Sequence, residues 1–97
     1  MENIELLFKT LSEQGWSCHE PLWGGWAAVY ATDYGSAQVH YYNEDEEKLY
    51  ADMGVGGDLE FETEEEYKSF FAAELRTYIA VKDAQDVARE LGLTLEW

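Results

Sequence analysis

Basic residues are scarce in this sequence. Six Lys and Arg residues stand against 21 Asp and Glu residues in a chain of 97, which gives a formal net charge of −15 at pH 7. A surface of this charge repels phosphate groups, so we expect no direct binding of nucleic acid, free nucleotides or an anionic membrane. The partner that this charge favours is a basic protein surface.

Cysteine and long apolar runs are scarce as well. The single cysteine, Cys18, has no second cysteine with which to form an internal disulfide. No apolar run approaches the roughly 18 residues that span a bilayer. The acidic start Met1-Glu2-Asn3 is unlike a signal peptide. We therefore expect a cytoplasmic protein with one free thiol.

Residues that build a core are plentiful. Hydrophobic residues make up 46% of the chain and aromatic residues 15%, whereas disordered acidic segments have few aromatic and β-branched residues. A chain of this length corresponds to one domain. We expect a single compact acidic domain over residues 1–97.

The acidity is concentrated between Glu44 and Glu66. This stretch of 23 residues holds eleven acids and one base, Lys48, and so carries −10 of the net charge of −15. Its acids are Glu44, Asp45, Glu46, Glu47, Asp52, Asp58, Glu60, Glu62, Glu64, Glu65 and Glu66. These eleven residues are the candidate partner-binding residues.

The first third of the chain predicts a helix, a loop and a β-hairpin. Ile4, Leu7, Phe8 and Leu11 follow helical spacing within 3–14, with Asn3 as the N-cap and Gly15 as the stop. The Trp-rich stretch 16–25 predicts a loop whose rings close one end of the core, with an aromatic ligand-binding patch over Trp16–Trp26 as the alternative. The strand formers in 26–32 and 37–42 predict a hairpin with a four-residue connection over 33–36.

Two further strands are predicted before the C-terminal helices. Alternation predicts a strand over 48–53, with Leu49, Ala51 and Met53 on the inner side, then a Gly-rich turn over 54–57. Alternation is most regular in 58–62, where Leu59 and Phe61 should face inward. On such a strand the three outward acids would repeat every ~6.6 Å, close to two phosphate steps of B-DNA at about 3.4 Å each.

The last third predicts helices that start at a capping box. Thr63 is the N-cap and Glu66 the acidic partner three residues later. The inward residues of the first helix are predicted to be Tyr67, Phe70, Phe71, Leu75, Tyr78 and Ile79. A break near 82–83 would start a second helix, with Ala84, Val87, Ala88 and Leu91 inward and Gly92 as its end. Residues 93–97 predict a short closing strand.

Together these elements predict an α+β fold. It comprises a small antiparallel sheet of three to five strands, with an N-terminal helix and one or two C-terminal helices packed on one face. An exposed edge strand would allow pairing of two copies, so both a monomer and a homodimer are compatible with the sequence.

The usual signatures of catalysis and cofactor binding are weak. The adjacent Cys18, His19 and Glu20 resemble a nucleophile or metal motif, but such groups usually come from distant parts of the sequence. The acidic stretch fails the spacing of a calcium-binding EF-hand loop, and 54–57 lacks the lysine of a phosphate-binding loop. We therefore predict no catalytic, cofactor-binding or metal-binding residues, and no cofactor.

In its general profile the chain resembles a family of viral counter-defence proteins. It is similar to the small acidic anti-CRISPR proteins of phages, in particular those that mimic DNA and block type I surveillance complexes. The resemblance lies in length, acidity and the clustered acids of 44–47, 58–62 and 64–66; it depends on no motif, so no functional residue is transferred. It implies an inhibitor in the bacterial host cytosol that occupies the DNA-binding path of a CRISPR RNA-guided complex.

Two other interpretations of the acids remain open. One is an immunity protein or antitoxin that neutralises a basic nuclease toxin, with Trp23, Tyr42, Tyr50 or Trp97 as aromatic anchors among the carboxylates. The other is a solvated surface that only keeps the protein soluble.

Overall fold

The computed structural model describes residues 2–19, 25–42, 47–55 and 60–97. Its elements, in chain order, are helix α1 (Glu2–Glu13), strands β1 (Ser17–His19), β2 (Trp26–Thr32), β3 (Gly35–Tyr42) and β4 (Lys48–Val55), and helix α2 (Glu64–Glu90). The four strands form one antiparallel sheet in the order β1-β2-β3-β4. The predicted α+β fold, with helices at both ends of the chain, is confirmed.

Helix α1 forms as its spacing predicts. Ile4, Leu7, Phe8 and Leu11 are all buried in the core. The helix stops before Gly15, whose φ of 99° is favourable for glycine and strained for other residues. The N-cap prediction is wrong, because Asn3 lies inside the helix and its side-chain amide donates to the carbonyl of Leu91 at 2.9 Å. Asn3 thus ties the start of α1 to the end of α2.

The predicted loop over 16–25 contains a strand. Strand β1 pairs with β2, with Cys18 opposite Ala28. Its three residues are too few for a periodic pattern, so their pairing depends on the neighbouring strand rather than on their own sequence. The remaining residues of this loop, 20–24, lie outside the described part of the chain.

The hairpin of β2 and β3 is confirmed with a shorter connection. Thr32 pairs with Gly35, so Asp33 and Tyr34 alone form the turn, and the predicted four-residue connection is wrong. The Thr32 hydroxyl donates to the carbonyl of Gly35 at 3.2 Å and accepts from the backbone N–H of Tyr34 at 3.4 Å. These side-chain bonds stabilise a tight turn that leaves Gly35 free to pair.

Strand β4 is confirmed and extends two residues beyond the prediction, into the expected Gly-rich turn. Leu49 and Ala51 are buried and Met53 packs against the core, as the alternation predicts. The strand predicted over 58–62 is wrong for its described residues, because Glu60, Phe61 and Glu62 belong to neither a helix nor a strand. The regular spacing of carboxylates expected from that strand is therefore absent at these residues.

Helix α2 is one continuous helix, without the predicted break. The Thr63 side chain caps it by accepting from the N–H of Glu66 at 3.2 Å. The C-terminus ends in a Schellman motif, in which the N–H of Gly92 bonds to Arg89 O at 3.0 Å and that of Leu93 to Ala88 O at 2.8 Å. Both predicted ends of the helical region, Thr63 and Gly92, are confirmed.

The predicted inward face of the first half of α2 is wrong. The residues that α2 buries are Ala73, Thr77, Val81, Ala84 and Ala88. Of the six bulky residues predicted to face inward, five are exposed, namely Tyr67, Phe71, Leu75, Tyr78 and Ile79, and Phe70 is half-buried. Small residues allow α2 to approach the sheet closely, where Ala28, Ala37 and Ala51 present equally small side chains, so the bulky residues point away.

Both helices cover the same face of the sheet. A single core cluster joins α1, α2 and the inner residues of the strands, such as Val39 and Tyr41. The opposite face carries Gln38, His40 and Tyr42, and none of the described helices packs on it. The C-terminal residues form one parallel bridge, Tyr50 with Glu96, instead of a full closing strand. Ala51 N donates to Glu96 O at 2.7 Å, so this bridge occupies the free edge of β4.

Candidate acidic interface

Seven of the eleven candidate residues lie in the described part of the chain, and all seven are exposed: Glu47, Asp52, Glu60, Glu62, Glu64, Glu65 and Glu66. The other four, Glu44, Asp45, Glu46 and Asp58, lie outside it. Every candidate residue in the described part of the chain is thus accessible to solvent, and its binding of a partner stays a prediction.

Five of the seven carboxylates surround the start of α2. We call Glu60–Glu66 the acidic turn. Thr63 caps α2, and the Glu66 carboxylate reaches back to accept from the backbone N–H of Glu62 at 3.0 Å. The exposed N–H groups and positive dipole end of α2 partly offset the repulsion between these acids. Local chemistry therefore holds several like charges within one turn.

Aromatic packing fixes the acidic turn against the rest of the protein. The Phe61 ring lies 6.4 Å from Tyr34, 5.6 Å from Tyr67 and 5.2 Å from Phe70, measured between ring centroids. Tyr34 belongs to the β2–β3 turn, so the acidic turn is held at that end of the sheet. The sequence predicted Phe61 on the inner side of a strand, whereas the structure places it half-buried in an aromatic cluster outside the core.

The remaining two described acids lie along β4, away from the acidic turn. Glu47 directly precedes β4 at the end where Lys48 pairs with Tyr42, whereas the acidic turn lies near the opposite end, where Val55 pairs with Gly35. Eight residues of strand span about 26 Å. Asp52 lies between them on the outer face of the sheet. The carboxylates are therefore spread along the sheet rather than gathered in one compact cluster, and we call the seven exposed candidate acids together the acidic path.

Few cations compensate these carboxylates. Within the described ranges, the acidic turn has a single ion pair, Lys68 Nζ to Glu64 Oε1 at 3.7 Å, between two highly exposed side chains. A pair of this kind contributes little, ~0.5 kcal/mol. Glu47 instead accepts a hydrogen bond of 3.4 Å from the hydroxyl of Tyr41. The negative field of the acidic path therefore reaches solvent largely unscreened.

A stack of rings lies on the outer face of the sheet beside Asp52. His40 stacks on Tyr50 at 5.1 Å and on Tyr42 at 6.1 Å, and Gln38 Oε1 lies 2.8 Å from His40 Nε2. Burial, reinforced by Tyr42 and Asp52, raises the pKa of the Tyr50 hydroxyl. Alternation in 37–42 predicted that Gln38, His40 and Tyr42 share one face, but the stack with Tyr50 depends on the register of β3 and β4.

The residues Cys18 and His19 do not form a catalytic pair. The Cys18 thiol turns inward and donates to Phe8 O at 3.2 Å, and burial raises its pKa, whereas His19 is exposed. Successive residues of a strand point to opposite faces. In the described ranges no group of three or more His, Cys, Asp or Glu side chains lies close enough to hold a metal ion.

Two of the Trp residues near the predicted loop belong to the core. Trp16 is buried and lies 5.6 Å from Tyr30, and the ring of Trp26 stacks on Phe8 at 5.6 Å. Trp23 lies outside the described residues. Trp16 and Trp26 therefore pack within the protein, where they stabilise the contact between α1 and the sheet, and do not form the aromatic binding patch that was the alternative.

Sequence analysis missed the exposed apolar residues of α2. The spacing of three or four residues between the bulky side chains correctly indicated one face of a helix, but that face was predicted to be buried in the core. The signal that would have separated the two faces is a second, smaller-residue stripe at the same spacing, Ala73, Thr77, Val81, Ala84 and Ala88.

Comparison with known proteins finds no matching family model, no similar curated protein and no similar solved structure. Neither of the two described helices has the length and apolar character required to cross a bilayer.

Proposed function

We propose that this chain is an acidic inhibitor protein that mimics nucleic acid and blocks the DNA-binding path of a CRISPR RNA-guided surveillance complex. The observation that carries the proposal is the extended acidic path: the seven candidate acids in the described part of the chain are all exposed, and they are spread from Glu47 past Asp52 to the acidic turn. The eight residues of β4, along which the acids are spread, span about 26 Å, which corresponds to roughly seven or eight base-pair steps of B-DNA.

The mechanism is competitive. Carboxylates of the acidic path bind Lys and Arg side chains that would otherwise hold phosphates of the target DNA. Counterions released from both surfaces favour the association, which should therefore weaken steeply as salt is added. The fixed acidic turn supplies part of this charge without an ordering cost, because Thr63 and Phe61 already hold it in place.

The test is a competition between this protein and target DNA for a purified type I surveillance complex. The variant Glu60→Gln/Glu62→Gln/Glu65→Gln removes three charges from the acidic turn without changing side-chain size. At ~0.5–1 kcal/mol for each lost pair, half-maximal inhibition of DNA binding in a gel-shift assay should need roughly 10- to 100-fold more protein.

The matched control is Glu5→Gln/Glu13→Gln/Glu90→Gln, which removes the same charge from exposed positions on α1 and the far end of α2. It should inhibit like the wild type. Equal losses in both variants would mean that total charge rather than the acidic path matters. Absence of inhibition by the wild type would reject the proposal for that complex.

One observation favours a second candidate, an immunity protein against a basic nuclease. The rings of Tyr67 and Phe71 are exposed directly beside Glu64 and Glu65, which gives a local patch of aromatic and acidic residues. Such a patch suits an interface with aromatic hot spots. In that case the protein would inhibit an isolated basic nuclease, and Tyr67→Ala would weaken inhibition as strongly as loss of the three charges.

A further inference from the structure

A continuous apolar stripe lies on the solvent side of α2. We call Tyr67, Phe71, Leu75, Tyr78 and Ile79 the outer stripe; each of these side chains is between 45% and 59% exposed. At about 100° per residue, the outer stripe and the buried stripe of α2 are centred about 130° apart around the helix axis. A helix that is apolar on two such faces is typical of one packed on both sides.

The exposed area is large for so small a protein. The ring of Trp97, 46% exposed, extends the outer stripe by packing on Tyr78 at 5.2 Å between centroids. With roughly 200 Å² for a fully exposed large side chain, these six residues expose roughly 600 Å². This is at the upper limit for the largest apolar patch of a typical monomer and approaches the ~800 Å² that each partner buries in a standard interface.

The helix that carries the outer stripe holds little of the negative charge of the chain, which favours a second copy of the chain as the partner. Four of the six bases of the chain, Lys68, Arg76, Lys82 and Arg89, lie on α2, where seven acids leave a net charge of −3. The rest of the chain therefore carries −12. Three of these seven acids belong to the acidic turn, so residues 67–90 of α2 hold four acids and four bases and carry no net charge. Two chains of −15 therefore repel each other less along this part of α2 than along the acidic path.

The order of residues along α2 is self-complementary. In an antiparallel pair of α2 helices centred on Ala73, residues equally distant from the centre face each other. This arrangement places Phe71 opposite Leu75, and Tyr67 opposite Ile79, in both halves of the interface. It also places Glu64 opposite Lys82, a pair of opposite charge, at each end.

We propose that the outer stripe binds a second copy of this chain, so that two α2 helices pack antiparallel about a two-fold axis near Ala73. A two-fold interface uses the same patch twice, which is the requirement that this symmetric register meets. Lys82 Nζ already lies 5.7 Å from the Tyr78 ring and 5.9 Å from the Trp97 ring, so its charge stands at the edge of the apolar area. There it can pair with Glu64 of the second copy.

This interface differs from the edge-strand pairing considered from the sequence. The bridge with Glu96 occupies the middle of the β4 edge, whereas the outer stripe stays about half exposed even where Phe61 packs on Tyr67 and Trp97 packs on Tyr78. The proposal does not depend on the inhibitor function, since it concerns residues outside the acidic path except Glu64.

The first test is the mass in solution, measured by light scattering and sedimentation at about 0.3 M NaCl, which screens charge repulsion. The wild type should change with concentration from the 11.2 kDa chain to twice that mass, with a dissociation constant in the micromolar range, about 10⁻⁶ to 10⁻⁴ M. Phe71→Asp and Leu75→Asp should each weaken the dimer at least ~30-fold, because they bury a charge in an apolar contact.

The matched control is Leu6→Asp, which places the same charge at a 46% exposed leucine of α1. It should dimerise like the wild type, and far-ultraviolet circular dichroism should show helix content unchanged in all three variants. A wild type that stays at the mass of one chain at the highest concentration overturns the proposal, as does equal dissociation by Leu6→Asp. An outer stripe that binds a different protein would give the first of these results.

The second test is the register of the helices. Glu64→Lys alone and Lys82→Glu alone each put like charges opposite one another and should weaken the dimer several-fold, whereas the double variant should restore it. Restoration is expected for antiparallel helices, in which residues 64 and 82 meet across the interface. Additive weakening in the double variant would overturn the antiparallel arrangement.

Discussion

Tyr41 shows how a single residue links the core to the acidic path. Its ring is buried, and its hydroxyl donates to Glu47 at the end of that path. Burial first, and the Glu47 carboxylate second, raise the pKa of the Tyr41 hydroxyl above its ordinary value of 10.0. The folded protein therefore retains this proton to a higher pH than the unfolded chain does.

Because the folded protein retains this proton, we expect its free energy of unfolding to fall in alkaline solution. Between the ordinary pKa and the raised one, the folded state binds more protons than the unfolded state, so the free energy of unfolding falls as pH rises through this range. Below pH 10 the effect is absent. Urea unfolding between pH 8 and about pH 11.5 should show the fall, and Tyr41→Phe should reduce its slope. Parallel curves for the two proteins would show that Tyr41 contributes nothing to it.

At the scale of a secondary-structure element, Gly92 determines how helix α2 ends. Gly92 has a φ of 75° in the Schellman motif that ends the helix, and a Cβ there would meet no other atom within 4 Å. The cost of Gly92→Ala is therefore backbone strain alone, about 1–2 kcal/mol. Gly54→Ala is the matched control, since Gly54 lies in β4 with the same open space and without a positive φ.

Only the substitution of Gly92 is expected to destabilise the protein. Gly92→Ala should lower the free energy of unfolding measured in urea, whereas Gly54→Ala should leave it unchanged or raise it by a few tenths of a kcal/mol, because alanine restricts the unfolded chain. If the Gly92→Ala protein were as stable as the wild type, the positive φ of Gly92 would not be the reason that a glycine is needed at this position.

The same helix shows where periodicity is ambiguous. Two stripes run along α2 at intervals of three or four residues, one bulky and one small. Sequence reasoning chose the bulky stripe for the core because larger side chains bury more area. The observed choice follows from the partner surface: the alanines on the sheet accept a close helix, which places small residues inside.

At the scale of the whole molecule, unscreened charge should govern stability. Salt screens repulsion within about 10 Å at 0.1 M and more closely at higher concentration. Raising NaCl from about 20 mM to 500 mM should increase the midpoint of thermal unfolding by several degrees, because the folded state holds the acids closer together than the unfolded state does.

The two triple variants of the functional test separate local from total charge. Glu60→Gln/Glu62→Gln/Glu65→Gln should have the higher midpoint at low salt and the smaller gain on adding salt, because these acids repel one another within one turn. Glu5→Gln/Glu13→Gln/Glu90→Gln should keep most of the wild-type gain. Measurements at about 10⁻⁷ M, well below the dissociation constant expected for the dimer, keep dimerisation from contributing. Identical gains in both would indicate that only net charge matters.

Several features of this protein were determined by sequence alone, for reasons that are local. The stripe of α1, the Thr63 cap, the Gly92 stop and the alternation of β3 and β4 each depend on residues a few positions apart. The same holds for the exposure of the acids, since an unpaired carboxylate is costly to bury wherever the chain places it.

Other features were decided only by the tertiary structure. Strand β1 forms because β2 offers it a partner, and Phe61 packs on Phe70 and Tyr34 in the acidic turn instead of lying in the predicted strand. The candidate acids separate into the acidic turn and two positions along β4, Glu47 and Asp52, because the sheet and the packing of Phe61 on Tyr34 place the acidic turn near the far end of that strand. The outer face of α2 carries the bulky residues because its inner face of small residues packs on a part of the sheet that includes Ala28, Ala37 and Ala51. Each outcome depends on a contact between distant parts of the chain, which short-range patterns do not specify.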